Sequence, residues 1–186
     1  MNIELDLITA CINRERRAEY ELYKLTYSYL MSICIRYTNN REEAEDGLNI
    51  GFLKILQNLN KYRAEVPFKA WVRKVMVNTL IDEYRKQKKH QEQIKYVEDY
   101  IETSSFSDVN NALTKMNTEQ IHAMIKKLPP TSQQVFNLYA IDGFAHKEIA
   151  KMLDMSEGTS KWHLSFSRQQ LQEMIANMVL PKTIVS

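Results

Sequence analysis

Glycine and proline are scarce in this chain, with four of each among 186 residues. They are clustered along the sequence and do not recur at regular intervals. Because these two residue types punctuate turns, their scarcity argues against a fold made of many short elements. We therefore expect long helices joined by few turns.

Cysteine is nearly absent, and Cys11 and Cys34 form no CxxC or other metal-ligand spacing with each other or with the four histidines. This excludes a disulfide framework and argues against structural zinc, as expected for a reduced cytoplasm. No apolar run approaches the length of a membrane span, and no cleavable apolar N-terminus is present. We expect a cytoplasmic protein without membrane insertion.

Recognisable catalytic motifs are also missing. No Ser-His-Asp or Cys-His grouping and no glycine-rich phosphate loop stands out, so the carboxylates are interpreted as solvated faces and helix starts. The sequence therefore predicts a protein that is not an enzyme and needs no cofactor.

Apolar residues make up 44% of the chain and charged residues 26%, which is ordinary for a folded protein. The charge is uneven: residues 1–95 hold 17 bases and 13 acids, whereas residues 128–186 hold five of each. Residues 96–117 are acidic and rich in Ser and Asn, which is typical of a linker. We predict an all-α protein with two small helical domains, residues 1–95 and 118–186, joined by this acidic linker.

Basic and aromatic residues are interleaved most densely between residues 60 and 89. Residues 60–95 contain ten Lys or Arg and four acids, a net charge of +6. Cations that follow phosphates and flat rings that stack on bases suit single-stranded nucleic acid. The alternative is an amphipathic helix whose aromatics fill its own core. The polar candidates, from a loop and from one face of the following helix, are Tyr62, Arg63, Lys69, Arg73, Asn78, Asp82 and Arg85.

The predicted helix over residues 41–59 has more apolar surface than one neighbour requires. Its main stripe is Ala44, Leu48, Phe52, Ile55 and Leu59. Ile50, Leu53 and Leu56 lie to the side of that stripe. Either the helix is sandwiched between two others, or the second stripe docks on another protein.

The second half of the chain has clear helix signals. Thr131 with Gln134 predicts a capping box, Asp142-Gly143 predicts a helix end, and Ser156 predicts a cap for the last helix. Two helices joined by about three residues predict a helix-turn-helix, whose second helix enters the major groove. The alternative is an ordinary α-hairpin in a bundle.

The last helix directs Trp162, Ser165 and Phe166 away from its apolar side, with Lys161 and Arg168 at the edges. The two cations suit phosphates. The two rings would have no core to fill there, and they would contact thymine methyl groups or sugar edges, or pack on a partner.

Two segments together resemble the ECF (extracytoplasmic function) sigma factors of bacterial RNA polymerase, within the sigma-70 family. REEAEDGLNIGFLKILQNLNKYRAEVPFKAWVRKVMVNTLIDEYRKQKK, residues 41–89, is similar to region 2 of that family. LPPTSQQVFNLYAIDGFAHKEIAKMLDMSEGTSKWHLSFSRQQL, residues 128–171, is similar to region 4. Both segments occur in the order and spacing of the family.

The resemblance implies an alternative sigma factor that binds core RNA polymerase and directs promoter-specific initiation. Region 2 would capture the melted −10 element through the basic and aromatic candidates named above. It implies that core polymerase docks on Asp46, Leu48, Asn49, Phe52, Leu53 and Leu56. It implies that the −35 duplex is contacted by Ser156, Thr159, Lys161, Trp162, His163, Ser165, Phe166 and Arg168. An anti-sigma factor is a further expected partner, and association with the nucleoid is expected when the protein is bound to polymerase.

Several positions depart from the family. Asn49 stands where the docking helix usually has Gln, and Ala145 replaces the usual Ser or Thr cap of the first helix of the helix-turn-helix. His163 and Phe166 occupy positions that are commonly Arg. The alternative function is a helix-turn-helix regulator without a role in polymerase, which would leave residues 60–89 unexplained. An RNA-binding or anti-termination protein would leave the duplex reader unexplained.

We predict that isolated residues 118–186 bind duplex DNA only weakly at physiological salt. Neutralisation of phosphates supplies most non-specific affinity, and the segment 128–186 has no net charge. A fluorescence anisotropy titration against promoter duplexes measures this, and tight binding would contradict the prediction.

Overall fold

A computed structural model of the chain describes residues 3–92 and 118–179. The described residues form two compact units, divided between residues 94 and 95. The part of the chain covered by these two ranges is helical and contains no strand, which confirms the predicted all-α class. The predicted linker, residues 96–117, lies outside the described residues.

Within residues 3–92, the first unit contains four α-helices. They are α1 (Leu5–Ile12), α2 (Arg16–Tyr37), α3 (Arg41–Asn58) and α4 (Phe68–Glu92), with a short 3₁₀ turn at Leu59–Lys61. Helices α2, α3 and α4 pack against one another in pairs, and α1 packs on α2 and on the 3₁₀ turn. Helix α1 was not predicted.

The start of α3 is fixed by reciprocal capping. The side-chain oxygen of Asn40 accepts a hydrogen bond from the Glu43 backbone N–H at 2.8 Å. The Glu43 carboxylate accepts in turn from the backbone N–H of Asn39 at 3.0 Å. Both contacts satisfy N–H groups at the helix start.

Helix α3 approaches α4 closely because two buried glycines face α4. A Cβ atom on Gly47 would lie 2.7 Å from Leu80 Cδ2, and a Cβ on Gly51 would overlap the sulfur of Met76. Met76 is fully buried and its sulfur lies 3.6 Å from the Cys34 sulfur. The α3–α4 spacing therefore depends on the absence of side chains at these two positions.

The second unit also contains four described helices. They are α5 (Thr118–Ile125), α6 (Pro130–Phe136), α7 (His146–Leu153) and α8 (Glu157–Val179). Helix α6 continues into a π-helical turn, Asn137–Ile141. Pro129 occupies the N-cap position of α6, and Thr131 is buried in the first turn. The predicted capping box of Thr131 and Gln134 is therefore wrong, because the N-cap lies two residues earlier, at Pro129, and Pro130 suits the first turn.

Helices α7 and α8 form the predicted helix-turn-helix. Gly143, with φ of 76°, turns the chain before α7, and Asp154, with φ of 55°, turns it after α7. Ser156 caps α8, since its hydroxyl accepts from the Thr159 N–H at 2.9 Å. The start of α7 has only half a capping box, in which the Ala145 N–H donates to the Glu148 carboxylate at 2.9 Å. Helix α8 packs on α5, α6 and α7.

A search of the described helices found none with both the length and the hydrophobicity that crossing a membrane requires.

We predict that Gly51→Ala destabilises the first unit by about 1 kcal/mol or more. Overpacking a filled core costs about 1 to 3 kcal/mol, which outweighs the better helix propensity of alanine. Urea unfolding measured in a Trp162→Phe background, where Trp71 is the single remaining tryptophan, reports on this unit. Asn49→Ala, at an exposed position of α3, is the matched control and should leave the midpoint nearly unchanged. An equal midpoint for Gly51→Ala and the control would show that the core accommodates the methyl group.

Candidate nucleic-acid and partner interfaces

The loop before α4 is closed by its own tyrosine. The Tyr62 hydroxyl donates to the Val66 carbonyl at 2.9 Å. Its ring centroid lies 5.2 Å from Phe68 in an edge contact and 5.5 Å from Trp71. Phe68 is buried, whereas Tyr62 and Trp71 are half-buried and Arg63 is exposed. The loop therefore presents two partly open rings beside a cation.

The sequence predicts one shared face for the polar candidates of α4, but they lie on two different sides of the helix. Lys69 and Arg73 are one turn apart, but Asn78 is nine residues after Lys69, which is two and a half turns. Asp82 and Arg85 follow Asn78 at four and seven residues and lie on its side. The prediction of a single polar face is therefore wrong, because α4 is continuous from Phe68 to Glu92 and carries these two groups on opposite sides.

Contacts with other helices support this division. The Lys69 ammonium lies 4.7 Å above the ring of Tyr29 on α2. The Asp82 carboxylate lies 3.6 Å from the Lys54 ammonium on α3. The two groups of candidates thus sit next to different helices.

Trp71 was part of the basic and aromatic pattern but was not among the predicted contact residues. It precedes Asn78 by seven residues, about two turns, and so lies on the side of α4 that carries Asn78 and Arg85. That side therefore begins at the Tyr62 and Trp71 rings and runs to Arg85. The signal in the sequence was the seven-residue repeat of 71, 78 and 85.

Helix α3 is buried on two sides and open on a third. Its main apolar stripe and its two glycines face the core. Ile50 and Leu53 are 40% and 53% exposed, Leu56 is half-buried, and the polar candidates Asp46 and Asn49 are exposed. The second stripe is therefore not sandwiched within the described part of the first unit.

Two predicted docking residues of α3 are core residues. Leu48 is 1% exposed, and Phe52 is 8% exposed, with its ring packed edge-on against Tyr23 at 5.0 Å. Their assignment to a partner surface is corrected here, because they belong to the main stripe that packs inside the unit.

Most of the predicted contact residues of α8 lie at the surface. Ser156, Thr159, Lys161, Ser165 and Arg168 are exposed. Trp162 is 37% exposed, and Phe166 is half-buried. Their rings stack nearly parallel, 5.2 Å apart and inclined by 14°. The outer face of α8 thus has an aromatic pair at its centre.

His163 is turned towards the core, and the edge contact of its ring with Trp162 has a centroid distance of 4.9 Å. It is 8% exposed, and its Nδ1 lies 2.8 Å from the Ser132 hydroxyl of α6. The buried Ser167 hydroxyl is 2.7 Å from the His163 carbonyl and 3.0 Å from the Ser132 carbonyl. The prediction of a duplex contact by His163 is corrected, because this side chain joins α8 to α6.

His146 makes a second polar link to α8. Its Nδ1 lies 2.9 Å from the buried Ser160 hydroxyl, and its ring stacks on Tyr139 at 4.5 Å. Burial lowers the pKa of His146, and the positive charges of Lys161 and Arg168 act in the same direction, whereas Glu157 opposes them. The neutral ring is therefore the form that the fold favours.

The two thiols are buried and protonated at neutral pH. Burial raises the pKa of Cys34 to about 12 and that of Cys11 to about 11. Neither is a thiolate nucleophile under these conditions.

Comparison with protein families gives two matches. Residues 22–90 match Sigma-70 region 2, and residues 118–171 match Sigma-70, region 4. The two matches together cover more than half of the chain.

Two curated relatives are similar over most of their length. RNA polymerase sigma factor SigZ of Bacillus subtilis (strain 168) is 27% identical over 155 residues, which cover 83% of this chain and 85% of SigZ. ECF RNA polymerase sigma factor SigM of Mycobacterium tuberculosis (strain H37Rv) is 23% identical over 178 residues, covering 92% of this chain and 84% of SigM.

A solved structure shares the fold. It is the co-crystal structure of the sigma factor RpoE with the anti-sigma factor NepR from Bartonella quintana, with a TM-score of 0.51 and 18% identity. The match covers 84% of this chain and 96% of that chain.

We predict that the second unit loses stability in acid through His146. Because the folded state lowers the pKa of this ring, the unfolded chain binds the proton first as the pH falls below the ordinary value of 6.5. The contribution is complete above that value and is lost as the pH falls towards the lowered pKa. Urea midpoints between about pH 7.5 and 5.5 should therefore fall more steeply for the native chain than for His146→Gln.

Both chains are measured in a Trp71→Phe background, so that Trp162 is the reporter. His163 is present in both chains, so it contributes equally to both sets of urea midpoints and does not affect the difference between them. Parallel midpoints over this range would show that His146 does not carry the effect.

Proposed function

The chain belongs to the ECF group of the sigma-70 family, and we propose that its two units divide promoter recognition between opened and closed DNA. As an alternative sigma factor it directs RNA polymerase to promoters for initiation. The observation that carries this is that region 2 and region 4 occur in one chain, in the family's order. A regulator without a role in polymerase would have no use for region 2.

In the first unit, we assign the −10 single strand to the side of α4 that begins at Tyr62 and Trp71. Two partly exposed rings offer stacking surfaces, worth about 1 to 3 kcal/mol per base. Arg63 lies next to them, and Asn78 and Arg85 extend the same side with a hydrogen-bonding amide and a cation. Asp82 carries the wrong charge for a phosphate, so its contact with Lys54 suits a positioning role.

Lys69 and Arg73 lie on the side of α4 opposite the proposed site of the single DNA strand. Lys69 rests above Tyr29, on the side that faces α2. Cations there suit the backbone of DNA that continues past the melted segment, where phosphate charge matters more than base identity.

We assign the docking surface for core polymerase to the open side of α3. Ile50 and Leu53 are exposed apolar side chains on an otherwise well-packed helix, and Asp46 and Asn49 border them. Such a patch with a polar rim is the usual form of a protein-binding surface. An anti-sigma factor that covers this patch would compete directly with polymerase.

In the second unit, we assign the −35 duplex to the outer face of α8. Ser156 and Thr159 lie at the start of the helix, and Lys161 and Arg168 lie farther along it. This is the placement of a recognition helix in the major groove. The chain itself contributes no catalytic group, and synthesis belongs to polymerase in the cytoplasm, where association with the nucleoid follows from promoter binding.

The test is run-off transcription with the purified full chain and core polymerase. The native chain should confer specific start sites on core polymerase, and Leu53→Glu should reduce this at least tenfold. The substitution removes a leucine whose exposed half would be covered in the docked complex, worth about 1 kcal/mol, and places an unpaired carboxylate in an apolar contact.

The matched control is Leu5→Glu on α1, which is 61% exposed and lies outside the patch. It should retain core binding in an anisotropy titration. Failure of the native chain to confer any start site would refute the function, whereas equal behaviour of the two variants would refute only the docking surface.

A further inference from the structure

The outer face of α8 has no guanidinium at its centre. His163 is turned into the core, towards Ser132. The Arg168 guanidinium lies 5.8 Å from the ring centroid of Tyr139 in the π-helical turn after α6, at the edge of the face. Guanine is most often read by a bidentate Arg or Lys, and only Lys161 remains near the start of the helix. This face is therefore poorly equipped to select guanine.

Two aromatic rings, those of Trp162 and Phe166, occupy the centre of the outer face of α8. The near-parallel stack of Trp162 and Phe166 holds each ring against the other, one helical turn apart. The stack fixes two rotamers before any ligand arrives, so little side-chain entropy remains to be lost on binding. The pair is a preformed apolar surface on a helix that otherwise presents hydroxyls and cations.

The major groove offers one apolar group for such a surface, the C5-methyl group of thymine. Residues one turn apart are about 5.4 Å apart along the helix, and base pairs rise by about 3.4 Å. The ring pair therefore spans neighbouring base pairs. We infer that Trp162 and Phe166 are specificity-determining residues that select neighbouring thymines in the −35 duplex, an inference that rests on the proposed function of α8.

DNA fits this surface better than a protein does. The rings are bordered by exposed Thr159, Lys161 and Ser165, which suit phosphates and base edges. The helix is the second of a helix-turn-helix, and its start is capped and accessible at Ser156. A purely apolar protein contact would leave the bordering cation without a partner.

The test uses holoenzyme assembled from the full chain and core polymerase. A promoter library with a randomised −35 region is transcribed, and the most active promoters are sequenced; neighbouring thymines should be enriched. Each thymine of the best −35 element is then replaced by deoxyuridine, which pairs identically but lacks the methyl group. Promoter affinity should fall about fourfold at each of two neighbouring positions, the value for exposing one methyl group.

The double variant Trp162→Ala, Phe166→Ala should bind the thymine and deoxyuridine promoters equally. Lys161→Ala is the matched control; it should weaken binding to both promoters and keep their ratio, because it removes only a phosphate contact. Circular dichroism of each variant shows whether α8 is retained.

The possible failures are distinct. If holoenzyme initiates specifically but binds both promoters equally, or selects guanines in the −35 element, the inference is wrong and the function stands. If the double variant loses core binding while the native chain ignores the methyl groups, the ring pair contacts a protein. If no promoter is transcribed, the proposed function itself fails.

Discussion

Helix α3 can approach α4 closely because Gly47 and Gly51 have no side chains, and the first unit depends on that approach. With its glycines against Leu80 and Met76, α3 has one possible rotation about its axis. That rotation sends the main apolar stripe into the core and leaves Leu53 facing outward. A bulkier residue at either glycine would displace the helix and change the direction of its open side. The exposure of Leu53, and with it the proposed partner surface, is thus a consequence of core packing.

The second unit has hydrogen bonds between polar side chains in addition to its apolar core, which includes the fully buried Leu138 and Ile149. Ser132 contacts His163, and His146 contacts Ser160, so that α6 and α7 are each tied to α8. Buried polar pairs specify one register, because any shift would leave their donors and acceptors unsatisfied. The same contacts withdraw a histidine from the outer face of α8. The contact between His163 and Ser132 therefore places a polar pair in the core and leaves the outer face of α8 without this histidine.

Local signals in the sequence were reliable at several helix ends, although the start of α6 was predicted two residues too late. Ser156 caps a helix as predicted, and Gly143 turns the chain as predicted. These effects depend on chain neighbours alone, and so a single sequence suffices. Helix types and the two-unit, all-α architecture followed from the same kind of information.

The side of a helix on which a given residue lies, and whether that side is buried, was harder to predict. Leu48 and His163 were assigned to surfaces and lie in cores, since each sits on a helix with more than one buried side. Periodicity identifies an apolar stripe but not how many neighbours cover the rest of the helix. On α4 the error concerned the angle around the helix axis. Lys69 and Asn78 were assigned to one face, although the two and a half turns between them place them on opposite sides. Helix α1 escaped prediction because its eight residues are fewer than a periodic pattern needs for a helix to be identified.

Neither proposed DNA surface needs to bind tightly alone. The first unit would face single-stranded DNA only after the duplex opens, and the second unit has cations only at the edges of its reading face. A polymerase that holds both units makes the second contact intramolecular, which raises its effective concentration to about the millimolar range. Weak separate contacts then add to one firm complex. Affinity for promoters would be coupled to the open side of α3, because loss of docking there returns both surfaces to their weak individual affinities. A partner that covers Ile50 and Leu53 would therefore silence both DNA contacts without touching either.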